Sequence, residues 1–119
     1  MNPPRFDDAI RAAAEALAVI PGVRSAVLFG SAARGRATEE SDIDLFIDCD
    51  RDAEDPAWKI LLALDRRFGV EFSAIFYRPE ERESFDKQFL ESVVRQGRAL
   101  FGRLPDVTPP SSTCSPSAS

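Results

Sequence analysis

Apolar residues recur between residues 5 and 20 at alternating spacings of four and three: Phe6, Ile10, Ala13, Leu17 and Ile20. That spacing keeps them on one side of a 3.6-residue turn and predicts an amphipathic helix, stopped by Pro21-Gly22. The run VRSAVLF at 23–29 is β-branched and aromatic and predicts a strand that ends at a Gly30-Ser31 turn. Residues 31–35 are expected to open a short helical turn, and residues 36–41 to form a polar loop.

The segment DIDLFID at 42–48 carries the most information. In a strand, successive side chains point to opposite faces. Ile43, Leu45 and Ile47 then share one face, and Asp42, Asp44, Phe46 and Asp48 share the other. One face is core and the other carries three carboxylates. Strands covered by helices on both sides read as continuous apolar runs, so this pattern argues against such a sheet. It predicts an α+β fold: a small mixed sheet with helices packed on one face and an open acidic cleft on the other.

Asp55-Pro56 has the chemistry of an N-cap and first turn. The helix it opens is expected to run to Phe68, with Ala57, Leu61, Leu64 and Phe68 on its stripe, and to end at Gly69. Residues 70–77 predict a third strand, with Val70, Phe72, Ala74 and Phe76 on the apolar face and Glu71, Ser73 and Tyr77 opposite. Pro79 opens a further helical segment in which Phe85, Phe89 and Val93 repeat every fourth residue up to Gly97. Residues 98–102 read as a short edge strand or docking segment. The domain is therefore expected to span 1–102. Residues 103–119, rich in Pro and Ser, are expected to be a disordered tail.

Composition narrows the function. At 119 residues the chain has room for one core, not for a catalytic domain and a separate recognition domain. Its net charge of −5 argues against general attraction to nucleic acid. Histidine is absent, which removes imidazole acid–base catalysis and most zinc sites. Two cysteines, Cys49 and Cys114, form no disulfide framework or metal knuckle. There is no apolar leader and no run approaching a membrane span, so a cytoplasmic protein is expected.

The candidate chemistry lies in GSAARGRATEESDID, residues 30–44. Asp42 and Asp44 lie on one strand face with Cα atoms about 6.5–7 Å apart from the rise per residue. A divalent cation between two such carboxylates replaces repulsion with coordination. Hard oxygen ligands suit Mg²⁺ or Mn²⁺, which bind through one or two carboxylates together with substrate phosphates. The glycine of Gly30-Ser31 lets a phosphate approach the backbone, and the serine adds a hydroxyl. Taken alone, a D-x-D is better explained by a solvated strand face; the combination with Gly30-Ser31 is more specific. Gly30 to Gly35 also fits G-x-x-x-x-G, but Arg36 and Ala37 stand where a P-loop needs Lys and Ser or Thr.

Gly30-Ser31, the Ala33-Arg34-Gly35 that follows, and Ser41-Asp42-Ile43-Asp44-Leu45 resemble the signature of the DNA polymerase beta-like nucleotidyltransferases. The smallest members, the minimal nucleotidyltransferases, are the most similar. The resemblance extends over residues 5–102. It implies that Gly30 and Ser31 hold a triphosphate, with Arg34 and Ser41 beside them, and that Asp42 and Asp44 bind Mg²⁺. It also implies transfer of a nucleoside monophosphate from an NTP, ATP by expectation, to a hydroxyl. Active members carry a third carboxylate on a following strand. Glu71 is the candidate here for that catalytic and metal-binding role, with Asp48 and Asp50 as weaker alternatives, and Arg36 is a further cation for phosphate.

Minimal members often accompany a helical HEPN protein in toxin–antitoxin-like pairs, and some are similar to enzymes that transfer AMP to a partner protein. The alternative is a catalytically weak module that neutralises such a partner by contact. Homodimerisation through a strand edge or helix face stays open.

Overall fold

The computed structural model describes residues 2–102. Helix α1 (Pro4–Ala18) leads to strands β1 (Val23–Phe29) and β2 (Asp42–Cys49), then helix α2 (Arg51–Phe68) and strand β3 (Glu71–Tyr77). A 3₁₀ segment (Pro79–Ser84), helix α3 (Lys87–Gln96) and strand β4 (Arg98–Phe101) follow. The tail at 103–119 and its expected disorder lie outside the described residues.

Proline occupies the start of α1, where an N–H has no intrahelical partner to lose. The helix buries Phe6, Ala9, Ile10, Ala13 and Leu17. Ile20 is buried too, two residues past the helix end, where its N–H donates to the Leu17 carbonyl.

The four strands form one sheet in the order β3-β2-β1-β4. Strand β1 pairs antiparallel with both β2 and β4, while β2 and β3 are parallel and joined by the α2 crossover. This is the mixed α+β sheet that the alternation predicts. Ile43, Leu45 and Ile47 join Ala26, Leu28 and Phe72 beneath α1 and α2 in the larger core.

The opposite face is not open along its whole length. Phe46 shares it with Asp42 and Asp44, yet Phe46 is fully buried. Val27, Tyr77, Leu90 and Val93 close around it, with Phe29, Ile75, Phe85 and Phe89 packed against them. The rings of Tyr77, Phe85 and Phe89 lie 5.1, 6.3 and 6.1 Å from that of Phe46. Helix α3 and Phe85 therefore cover the Phe46 end of the front face. That cluster leaves the Asp42 end of the face uncovered, with Asp42 exposed and Asp44 half-buried.

Two helix starts differ from the sequence expectation. Helix α2 begins at Arg51, so Pro56 lies inside it rather than at its first turn. The Asp50 carbonyl starts the helix by accepting from Ala53 N–H, and Asp52 and Glu54 place negative charge in the first turn, where the helix dipole favours it. Pro56 sits early enough to cost one hydrogen bond without ending the helix. The C-terminus falls where expected: Gly69 adopts φ +66° and donates to Asp65.

The helix expected from Pro79 is split. Its first part is 3₁₀, and Asp86 then caps a separate α3 by accepting from Gln88 N–H. The buried positions of α3 become Leu90 and Val93, and Phe85 precedes it.

Candidate functional site

In the β1–β2 ladder Phe29 pairs with Asp44. The chain therefore leaves β1 beside the Asp44 carboxylate, and the next residue is Gly30. Gly30 has φ +77°, and a Cβ added there would collide with Asp44 Oδ2. Both the backbone angle and the space demand glycine. Glycine–serine and D-x-D, ten residues apart in sequence, are joined by this one strand pairing.

The segment after Gly30 is a single turn, not a helix. Gly35 N–H donates to Ala32 O and Arg36 N–H donates to Ser31 O, with Gly35 at φ +70°. This is the hydrogen-bond pair that ends a helix, formed here around one turn. Asn2 holds the turn at both ends: its Nδ2 donates to Ala32 O at 2.8 Å and its Oδ1 accepts from Ala37 N–H at 3.0 Å. Nothing in the local sequence pointed to Asn2, because its contacts span 30 and 35 residues.

Asp42 and Asp44 lie on the front face, Asp42 exposed and Asp44 half-buried. The Asp44 carboxyl is pushed above its ordinary value, first by burial and then by the negative charge of Asp42. In the parallel ladder Glu71 pairs with Asp42, and Ser73 pairs with Asp44. Glu71 thus shares the face of the acidic pair, but the residue alongside Asp44 offers a hydroxyl. Asp65, near the end of α2, is a further acid that the sequence reading missed. Burial raises its carboxyl, the Phe72 N–H holds it down in part, and Asp42 raises it again. Among the described residues no three acidic, histidine or cysteine side chains converge as a metal-holding group.

The remaining candidates are otherwise engaged. Arg24 donates to Asp48 Oδ1 from Nε at 3.0 Å and from Nη2 at 2.7 Å, and to Asp50 Oδ1 from Nη1 at 2.6 Å. These two acids therefore form an ion-pair cluster near the far end of β2 from Asp42. Ser41 Oγ accepts from Thr38 N–H at 2.9 Å and so closes the 38–41 turn. Arg34 Nη1 donates to Gln96 Oε1 at 3.1 Å, which ties the glycine turn to the end of α3. Cys49 is buried and its thiol is pushed up to about 11, chiefly by burial, which suits an inert core residue.

The donors at the accessible end suit a hard divalent cation. Asp42 and Asp44 supply ionisable oxygen, and bare backbone at Gly30 leaves the carboxylate of Asp44 uncrowded. Two protein carboxylates are the number such an ion commonly takes when phosphate oxygens and water complete its shell.

Residues 10–97 match the nucleotidyltransferase domain family. The chain is 40% identical over 86 residues to a Methanocaldococcus jannaschii protein named as a proposed protein adenylyltransferase; the match covers 66% of this chain and 79% of that one. A solved structure titled as a proposed minimal nucleotidyltransferase aligns with TM-score 0.59 and 26% identity, over 78% of this chain and 91% of the other. A toxin–antitoxin crystal structure with AMP-PNP aligns with TM-score 0.53 and 22% identity, over 83% and 72%. That likeness concerns the fold.

The chain belongs to the nucleotidyltransferase domain family. Its class of chemistry is nucleotidyl transfer. No helix among the described residues is long and apolar enough to cross a membrane.

Proposed function

We propose that this protein moves AMP from ATP to a hydroxyl of a partner protein, as the antitoxin of a two-component pair in the cytoplasm. The observation that carries this reading is the Phe29–Asp44 pairing, which brings Gly30 against the Asp44 carboxylate. The protein-adenylyltransferase name of the archaeal relative supports the acceptor class, and the AMP-PNP in the similar toxin–antitoxin structure supports the nucleotide. A HEPN-type helical protein is the partner implied by the resemblance of the motif.

In this mechanism the acceptor oxygen attacks the α-phosphorus of ATP. The bond from that phosphorus to the bridging oxygen breaks, and pyrophosphate leaves. The backbone of the Gly30-Ser31 turn meets the phosphates, and the Ser31 hydroxyl donates a hydrogen bond to them. Arg34 and Arg36 offset their charge. Asp42 and Asp44 would hold Mg²⁺ or Mn²⁺, with Glu71 approaching from β3. When bound, the ion neutralises phosphate charge and makes the attacking hydroxyl easier to deprotonate. Glu71 takes up the hydroxyl proton.

A second reading is favoured by one observation, the absence among the described residues of a converged three-carboxylate group. The protein would then neutralise its partner by contact alone. Incubating the purified protein and a HEPN-type helical protein with ATP and Mg²⁺, followed by intact-mass analysis, separates the two. The enzyme adds AMP groups to the partner. An unmodified partner that is nevertheless bound and silenced supports the contact reading.

A further inference from the structure

Between Phe29 and Asp42 the chain makes two turns. The first closes on Ser31 O, which accepts from Arg34 N–H and Arg36 N–H. In the second, Ser41 N–H donates to Thr38 O and Thr38 N–H donates to Ser41 Oγ. Ala37 stands between them. Among the described residues no backbone hydrogen bond joins one turn to the other. Their own bonds fix the shape of each turn but not the angle between them. Ala32 and Ala37 are buried in the larger core, yet apolar contact is non-directional and sets no angle.

The directional link comes from residue 2. Asn2 Nδ2 donates to Ala32 O, which also accepts from Gly35 N–H, and Asn2 Oδ1 accepts from Ala37 N–H. One side chain thus bridges the first turn and the junction to the second. A carboxamide carries a donor and an acceptor on one carbon, and a carbonyl and an N–H are its two partners here. Each of its polar atoms therefore has one fixed role.

The backbone that presents Asn2 is stiff. Asn2 precedes Pro3, which favours extended conformations, and Pro3 enters α1 at φ −57° and ψ 144° with Pro4 next. Phe6, one turn into the helix, is fully buried in the same cluster as Ala32 and Ala37. Arg5 adds an exposed pair with Glu39 Oε1 at 2.6 Å, a kind of contact worth little.

We infer that Asn2 is a positioning residue for the nucleotide: it sets the Gly30-Ser31 turn relative to Asp42 and Asp44 before ATP arrives. This rests on the reading of those residues as the nucleotide site. A ligand that needs one arrangement of the two turns binds more weakly in proportion to the fraction of molecules that hold it. Without Asn2, Ala32 O and Ala37 N–H exchange a shared partner for separate waters, and that fraction falls.

Two measurements on the full chain test this: amide exchange by NMR without nucleotide, and titration with ATP in the presence of Mg²⁺. Arg36 N–H bonds to Ser31 and not to Asn2, so its exchange reports on the turn rather than on the lost contact. In Asn2→Ala it should exchange about tenfold faster, and Mg-ATP should bind about tenfold more weakly, the scale of two lost hydrogen bonds. Asn2→Asp keeps the acceptor but, ionised, has no donor for Ala32 O, and should weaken binding as well. Ile10→Val, a core change elsewhere in α1, should lower the melting temperature and leave both readings unchanged, which separates positioning from general stability. Unaltered Arg36 exchange in Asn2→Ala would overturn the inference. So would wild-type ATP affinity in either Asn2 variant, or equal weakening by Ile10→Val. A wild type that binds no ATP would overturn the reading of the site, and this inference with it.

Discussion

Asp44 on β2 and Ser73 on β3 stand side by side in the parallel ladder, while Glu71 stands beside Asp42. The strand that brings a third carboxylate to the site therefore brings it next to the outer acid rather than the half-buried one. If Glu71 takes the proton, Glu71→Gln lowers turnover by about a hundredfold or more, the usual contribution of a general base. Adding Ser73→Asp to that variant recovers part of the loss, because a carboxylate then sits alongside Asp44. Unchanged turnover in Glu71→Gln removes Glu71 from the mechanism.

Asp44 destabilises the fold that it serves. Its carboxyl lies above the ordinary value in the folded chain, mainly through burial. The folded state therefore binds its proton more tightly than the unfolded state does. The resulting stability is fully present below the unfolded carboxylate range and is lost as pH rises through the folded value. In the metal-free protein Asp44→Asn should melt higher than wild type at pH 7, and the gap should close as the pH falls toward about 4. Thermal melts with a chelator present check this. An equal or lower melting temperature for the variant at neutral pH contradicts it.

Gly30 is constrained twice, by its φ of +77° and by the Asp44 carboxylate in the space of a Cβ. Gly30→Ala should cost about 1–2 kcal/mol from the backbone alone. It should also lower nucleotide affinity, because Asp44 must move. Denaturant melts and nucleotide titration read the two effects separately. Retention of both wild-type stability and wild-type affinity would show that the close approach is not needed.

Arg24 tests whether Asp48 and Asp50 belong to the site. Its side chain is 43% exposed and bridges both acids. Arg24→Ala should cost roughly 0.5–1 kcal/mol, less in high salt, and should leave turnover unchanged. A large fall in turnover would assign the two acids a part in the reaction.

The alternation in β2 was legible because it is local: Ile43, Leu45 and Ile47 are core, as their spacing requires. The same alternation put Phe46 on the acidic face but could not show what covers it. That cover comes from Phe85, Phe89, Leu90 and Val93, some forty residues away and separated from β2 by a helix and a strand. Asp55-Pro56 looked like a helix start because proline favours the first turn. The helix begins one turn earlier because backbone bonding from Asp50 and the acidic residues that follow it outweigh the hydrogen bond lost at Pro56.

Gly30, Ser31, Asp42 and Asp44 could be proposed as a candidate site from type and spacing alone. The register that pairs Glu71 with Asp42 and Ser73 with Asp44 was not, because strand parity assigns a face and leaves the neighbour unspecified. The engagement of Asp48 and Asp50 by Arg24 and the Asn2 clamp are likewise non-local.

The measurement that bears most directly on the account is the rate of Mg²⁺-dependent pyrophosphate release from ATP in the presence of the helical partner. It should be made on wild type, Asp42→Asn and Asp44→Asn, with folding checked by circular dichroism. The account predicts release by wild type and a fall of about a thousandfold, ~4 kcal/mol of barrier, in each folded variant. A folded Asp44→Asn protein that turns over at the wild-type rate would contradict it.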